Sequence, residues 1–267
     1  MVSKKMVLKD VINKVPENLS IEKHIAKIDA TGVYYRDLNS LLRSLDGNGI
    51  EKIEIRNVYG QRYIGTDLDD HLSIDIYGTP GNDLGAFMKG VNITVHGNVQ
   101  DGCGNTMDHG SIVVHGRAGD LVGHSMRGGK IFIRDDAGYR VGIHMKEYLG
   151  KRPTIVIGGT AQDFLGEYMA GGVLVVLGLN MKEGSRHEAR FVGTGMHGGT
   201  MYIRGEVRHL GEEVEVKDLN EDDYRILGSL VDEFCSYYGL DAEKILESKF
   251  NKLVPVSSRP YGNLYAY

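Results

Sequence analysis

The sequence predicts a mainly β protein, a single-stranded right-handed parallel β-helix with short helical flanks. Three observations predict it. A glycine-centred box recurs between about Leu72 and Gly205 with a commonest spacing of 19 residues. Behind each box runs a short segment in which apolar residues alternate with others, the period of a strand with one buried face. The chain also holds 37 glycines, well above the ordinary ~7% usage, and the boxes account for many of them.

The boxes are Leu84-Gly85-Ala-Phe-Met88, Cys103-Gly104-Asn-Thr-Met107, Val122-Gly123-His-Ser-Met126, Val141-Gly142-Ile-His-Met145, Leu165-Gly166-Glu-Tyr-Met169 and Val192-Gly193-Thr-Gly-Met196. Their glycines are spaced by 19, 19, 19, 24 and 27 residues. The inward pairs of the strands are Ile74/Ile76, Ile93/Val95, Ile112/Val114, Ile131/Ile133, Ile155/Ile157, Leu174/Val176 and Met201/Ile203. Ile53 and Ile55, with Tyr63-Ile64-Gly65, read as an earlier and less regular coil. Nineteen residues are too few for a helix and a return strand, and about half a propeller blade. What fits is one turn of extended chain with sharp corners, each turn pairing with the next at ~4.8 Å. Parallel crossovers are nearly always right-handed, which sets the expected hand. The box glycines then sit at corners, and the six box methionines form a ladder inside the cylinder.

Three regions follow: a cap over residues 1–50, the β-helix over 51–207 and a helical tail over 208–267. In the first, Asp37 is placed to cap a short amphipathic helix from Leu38 to Leu45 that Gly47-Asn-Gly49 ends. In the tail, Asn220 caps a helix bearing Leu227, Leu230, Val231, Phe234 and Tyr238 on one face. Gly239 stops it, and Asp241 starts a shorter one. An open solenoid end exposes unpaired backbone, so the N-terminal segment, with the tail helices as candidates for the other end, is expected to cover it. The two long coils carry insertions, Lys146 to Arg152 and Leu179 to Arg190. Such insertions protrude and often make contacts, which selects Lys182, Glu183 and Arg186 as candidate partner contacts.

Charge is nearly balanced, 31 basic against 36 acidic residues, and no basic cluster points to nucleic acid. No apolar run nears the ~20 residues that span a bilayer, and the basic start lacks the apolar core of a signal peptide. A cytoplasmic protein is expected. Two cysteines, Cys103 and Cys235, make neither a disulfide framework nor a metal knuckle.

Four features invite chemistry, and the repeat phase absorbs each. Gly193-Thr-Gly195-Met-His-Gly198 is a literal GxGxxG, but a strand follows it where a dinucleotide site needs a helix. His96 and His115 occupy equivalent positions one coil apart and are expected to stack at about 5 Å, with no carboxylate or cysteine to complete a metal shell. His109, His124, His144 and His197 lie around the corners without a fixed spacing. Cys103 falls on the apolar ladder, as a buried thiol, while Asp101, Asp120 and Asp163 recur three residues before a box glycine and read as turn-stabilising. No catalytic, cofactor-binding or metal-binding set is assembled from this chain. A sugar-binding β-helix is disfavoured because no aromatic ladder recurs along one face.

The boxes, with Gly60-Gln-Arg-Tyr-Ile-Gly65, Gly116-Arg-Ala-Gly-Asp-Leu-Val-Gly123, Met126-Arg-Gly-Gly129 and Tyr202-Ile-Arg-Gly205, resemble the glycine-repeat (GXGXG) domain at the C-terminus of the glutamate synthase large subunit. The tail from Phe250 to Tyr261 is similar to that family's closing segment, and the resemblance spans about residues 28 to 262. It implies a stand-alone structural subunit of a split glutamate synthase, an oxidoreductase subunit without an active site of its own. The full enzyme transfers the amide nitrogen of glutamine to 2-oxoglutarate in glutamate biosynthesis and nitrogen assimilation. FMN and an iron–sulfur cluster are then expected in partner chains, a glutaminase-type subunit and an FMN-binding synthase subunit, and a homo-oligomer stays open. The same repeat also resembles the β-helix subunits of N-methylglutamate synthase and of formylmethanofuran dehydrogenase.

Overall fold

The computed structural model describes residues 18–68, 71–182 and 184–258. It is a β-solenoid of about six turns whose strands form one twelve-stranded sheet. In chain order these are β1 (Leu19–Glu22), β2 (Ile25–Asp29), α1 (Tyr35–Leu45), β3 (Lys52–Tyr59), β4 (Ser73–Thr79), β5 (Lys89–His96), β6 (His109–Val114), β7 (Lys130–Ile133), β8 (Thr154–Ile157), β9 (Ala170–Val176), β10 (Gly198–Arg204), β11 (Val214–Lys217), α2 (Glu221–Tyr238), α3 (Ala242–Leu246) and β12 (Phe250–Pro255).

From β2 to β10 each strand pairs in parallel with the next, in the register the repeat dictates. Ile74 pairs with Ile93, Ile93 with Ile112, Ile112 with Ile131, Ile131 with Ile155 and Ile155 with Leu174. All seven inward pairs are buried, as is every box methionine. Stacking like on like fills the cylinder with apolar ladders and leaves each interior strand hydrogen-bonded on both edges.

The N-terminal end differs from the expected helix and loop. β2 already pairs in parallel with β3, so the solenoid begins one coil earlier, and β1 folds back antiparallel on its edge. Ala26 and Ile28 are the inward pair of this coil, and an alanine gives a weak alternation signal. It has no glycine box; α1 takes that place. The helix starts at Tyr35 with Tyr34 as N-cap and no side-chain cap bond. Asp37 sits inside the first turn, where its charge meets the positive end of the helix dipole. Leu38, Leu41, Leu42 and Leu45 are buried in the solenoid core, so α1 plugs this end.

At the other end β12 turns antiparallel onto β10, and β11 onto β12, a closure the sequence did not announce. The tail helices are therefore not the end cap. Instead α2 lies across the outer face of the sheet, where Leu227, Leu230, Val231, Phe234 and Cys235 bury Val113, Phe132, Val156, Val175 and Tyr202. Asn220 caps it through a reciprocal box with Asp223, and Gly239 ends it in the left-handed region, φ 66°. Asp241 caps α3. The sheet thus runs past both expected boundaries, near residues 50 and 207.

Candidate functional site

The box edge is built from alternating backbone hands. The box glycines have φ of 66–72°, and the residues two before and two after them are also left-handed, including Leu121, Ser125, Arg140, His144, Phe164, Tyr168 and Phe191. Each glycine N–H donates to the coil before it, as Gly123 N to Cys103 O and Gly142 N to Val122 O, both 2.8 Å. The flanking residues donate to the coil after, as Leu121 N to Tyr139 O and Ser125 N to Ile143 O, both 2.9 Å. Each methionine N–H closes the turn onto its glycine carbonyl. Left-handed backbone costs a non-glycine residue about 1–2 kcal/mol, and these inter-coil bonds offset it. At the last coil Val192 N donates to His209 O at 3.0 Å, and the Glu213 carboxylate accepts from Gly195 N at 2.9 Å.

This geometry throws the flanking side chains outward in columns. Phe164 and Phe191 stack at 5.0 Å with rings within 10° of parallel, and Arg140 lies 4.9 Å from the Phe164 centroid. Beside them His144 and Tyr168 stack at 5.3 Å. Leu121, Tyr139 and Phe191 are each more than a third exposed. Among the described residues the rings of these columns meet only as these two pairs, since the preceding coils carry Asp83, Gly102 and Leu121 in one column and Thr106 and Ser125 in the other. The pairs lie beside the glycine, outside the alternating strand segments. Within each pair one ring covers a face of the other.

The other sequence candidates fall as structural parts. His96 and His115 stack at 5.3 Å, within a column that runs from Tyr77 through both to Tyr238 at the end of α2. Among the described residues no group of three or more histidine, cysteine, aspartate or glutamate side chains is placed to hold a metal. Asp101 accepts from Asp120 N, Asp120 from Tyr139 N and Asp163 from Arg190 N, at 2.8–2.9 Å, so each aspartate ties its coil to the next. Burial pushes the Cys103 thiol up to about 12. Cys235 is buried on the inner face of α2. The GxGxxG glycines continue the box and lead into β10. In the second insertion Lys182 is exposed, while Arg186 pairs with Glu188 at 3.6 Å and bridges to Glu206. Glu183, and residues 259–261 of the family-like tail, lie outside the described residues. No helix among the described residues is long and apolar enough to cross a membrane.

Three histidines are held below their ordinary value, first by burial: His115, with His96 and Arg134 adding to the effect; His124, with His144 adding; and His187, against a bond to Arg204 O. A depressed folded value means that the unfolded chain binds protons first. Stability is then full above about 6.5 and falls as acid takes the pH through the folded values. The melting temperature is expected to fall as the pH is lowered through and below about 6.5, and His187→Gln should flatten the slope. A flat profile would exclude these histidines as the source.

The match to known proteins agrees with this geometry. The family model described as the GXGXG motif matches residues 52–257, which is most of the solenoid together with α2, α3 and β12. The chain belongs to that family, the one formed by the C-terminal domain of the glutamate synthase large subunit. It is also 47% identical over 248 residues to an uncharacterized protein of Methanocaldococcus jannaschii, covering 89% of this chain and 95% of that protein. The likeness to glutamate synthase therefore rests on the domain, and the relative adds a match over nearly its whole length rather than chemistry.

Proposed function

We propose that this GXGXG chain is a non-catalytic scaffold subunit of a split glutamate synthase, working in the cytoplasm beside a glutaminase-type subunit and an FMN-binding, iron–sulfur synthase subunit. The family match carries the reading, since it covers this domain and the described residues outside the match form an end strand, a coil and a plugging helix. An iron–sulfur cluster does not fit this chain. Such clusters take several thiolates, and its two cysteines are a core thiol of the solenoid and a buried residue on the inner face of α2. The described polar groups that recur on the coils are spent on inter-coil bonds, as a scaffold requires.

The test is co-expression with neighbouring glutaminase-like and FMN-synthase-like reading frames. One complex that forms glutamate from glutamine and 2-oxoglutarate is expected. Charge reversal at Lys182, Glu183 and Arg186 should weaken co-elution, and unchanged assembly would remove the insertion from the interface. Flavin or glutaminase activity in the isolated chain would overturn the scaffold assignment, and so would recovery with a molybdenum or tungsten enzyme instead.

A further inference from the structure

The exposed ridge beside the box glycines is ordered in a way that fits its own reverse. Across four successive coils the outermost column reads Leu121, Arg140, Phe164, Phe191 and the column beside it Asp120, Tyr139, Asp163, Arg190. At ~4.8 Å per coil the ridge is roughly 14 Å long. We propose that two copies of this chain pair through it, ridge against ridge and antiparallel, about a two-fold axis that passes between the second and third of these coils.

That axis keeps each column facing itself and inverts the coil order. Leu121 then meets Phe191 of the second copy, and the aliphatic stem of Arg140, whose guanidinium lies over its own Phe164 ring at 4.9 Å and pairs with Glu167 at 2.9 Å, packs against Phe164 of the second copy. Asp120 meets Arg190, and the Tyr139 hydroxyl meets the Asp163 carboxylate. All four facing pairs are complementary in charge or in polarity, and the two-fold generates each of them twice. Within the chain Asp120 is engaged through Oδ1 with the Tyr139 amide and Arg190 through its own amide with Asp163. Neither side chain forms an ion pair within the chain among the described residues, so both charges are available across the axis. Phenylalanine, tyrosine and arginine, which make up most of the ridge, are the residues enriched at the energetic centres of interfaces. The proposal stands apart from the glutamate synthase reading, because a homodimer forms whether or not other subunits bind.

Sedimentation of the purified full chain at micromolar concentrations reads the outcome. The wild type is expected at about twice its 29.5 kDa chain mass. Phe191→Asn tests the apolar end without unfolding the coil, since asparagine accepts the left-handed backbone at that position, φ 56°. It should raise the dimer dissociation constant at least about tenfold with the melting temperature of the dilute monomer unchanged. Asp120→Asn keeps the acceptor for the Tyr139 amide, and with Arg190→Ala it completes a double-mutant cycle. Each single change should weaken the dimer, and the double should be no weaker than the worse single. A monomeric wild type, including one that binds only an unrelated protein through the ridge, overturns the proposal. So does a dimer that Phe191→Asn leaves intact, or strictly additive effects of Asp120→Asn and Arg190→Ala.

Discussion

Gly123→Ala is expected to destabilise the fold by about 2–5 kcal/mol, enough to leave the protein poorly soluble at growth temperature. Two physical terms combine. At φ 66° an alanine Cβ is strained by the left-handed backbone, at about 1–2 kcal/mol. The added methyl also points into the cylinder, 2.3 Å from Cδ1 of Ile155 on β8, and overpacking a close-packed core costs about 1–3 kcal/mol. The terms separate experimentally. Ile155→Val removes the struck carbon, at a cost of about 0.5–1.5 kcal/mol alone. The double variant should therefore be more stable than the sum of the two singles, the residue being the backbone term. Denaturant melts of the three variants check it; additive losses would place the clash elsewhere. The same reasoning applies to Gly104 against Ile131 Cδ1, also 2.3 Å, which makes the ladder of glycines and the ladder of isoleucines two sides of one constraint.

That constraint explains what was legible in the sequence. A glycine every 19 residues and an isoleucine pair at fixed distance behind it are both forced by the cylinder, so the inward face, its register and the fold could be read directly. The outer face was legible only in part. Its positions pass from Asp75 and Thr94 in β4 and β5 to Val113, Phe132, Val156, Val175 and Tyr202 in β6 to β10. A strand buried on both faces reads as a continuous apolar run, and that shift was the available signal that α2 lies on the side of the solenoid rather than at its end. The aromatic ridge carried no such signal. Its column runs Tyr63, Asp83, Gly102, Leu121, Arg140, Phe164, Phe191, with no common residue type, and only stacking of coils of unequal length brings Phe164 onto Phe191. β12 was hidden for a different reason: its antiparallel partner β10 is remote in sequence, and no turn residue marks the pairing.

The second large effect is expected where these late elements are fastened. Asp223, 4% exposed, accepts from the Tyr202 hydroxyl of β10 at 2.6 Å, pairs with Lys252 of β12 at 2.7 Å, and accepts from Asn220 N at 2.8 Å in the α2 capping box. Burial alone would raise its carboxyl. The Asn220 amide, Lys252 and Tyr202 together outweigh burial and hold it below 3.8, so its contribution is present at neutral pH and lost only in stronger acid. Asp223→Ala removes one partner from three donors. It strands the Lys252 ammonium, whose side chain is 15% exposed, and the buried Tyr202 hydroxyl, while the capping box loses its reciprocal arm from Asn220 N and keeps the Asn220 side-chain cap. Breaking a buried pair on one side costs about 3–5 kcal/mol, and far-UV and near-UV melts should show α2 and the sheet end loosening together. Lys252→Met in the same background takes away the stranded charge without replacing the lost bonds. The double variant should therefore recover part of the loss, because the penalty lies in the uncompensated charge and not in the pair itself. If Asp223→Ala alone costs less than about 1 kcal/mol, the range of an exposed pair, the network is solvated in practice and α2 is held by its apolar face alone.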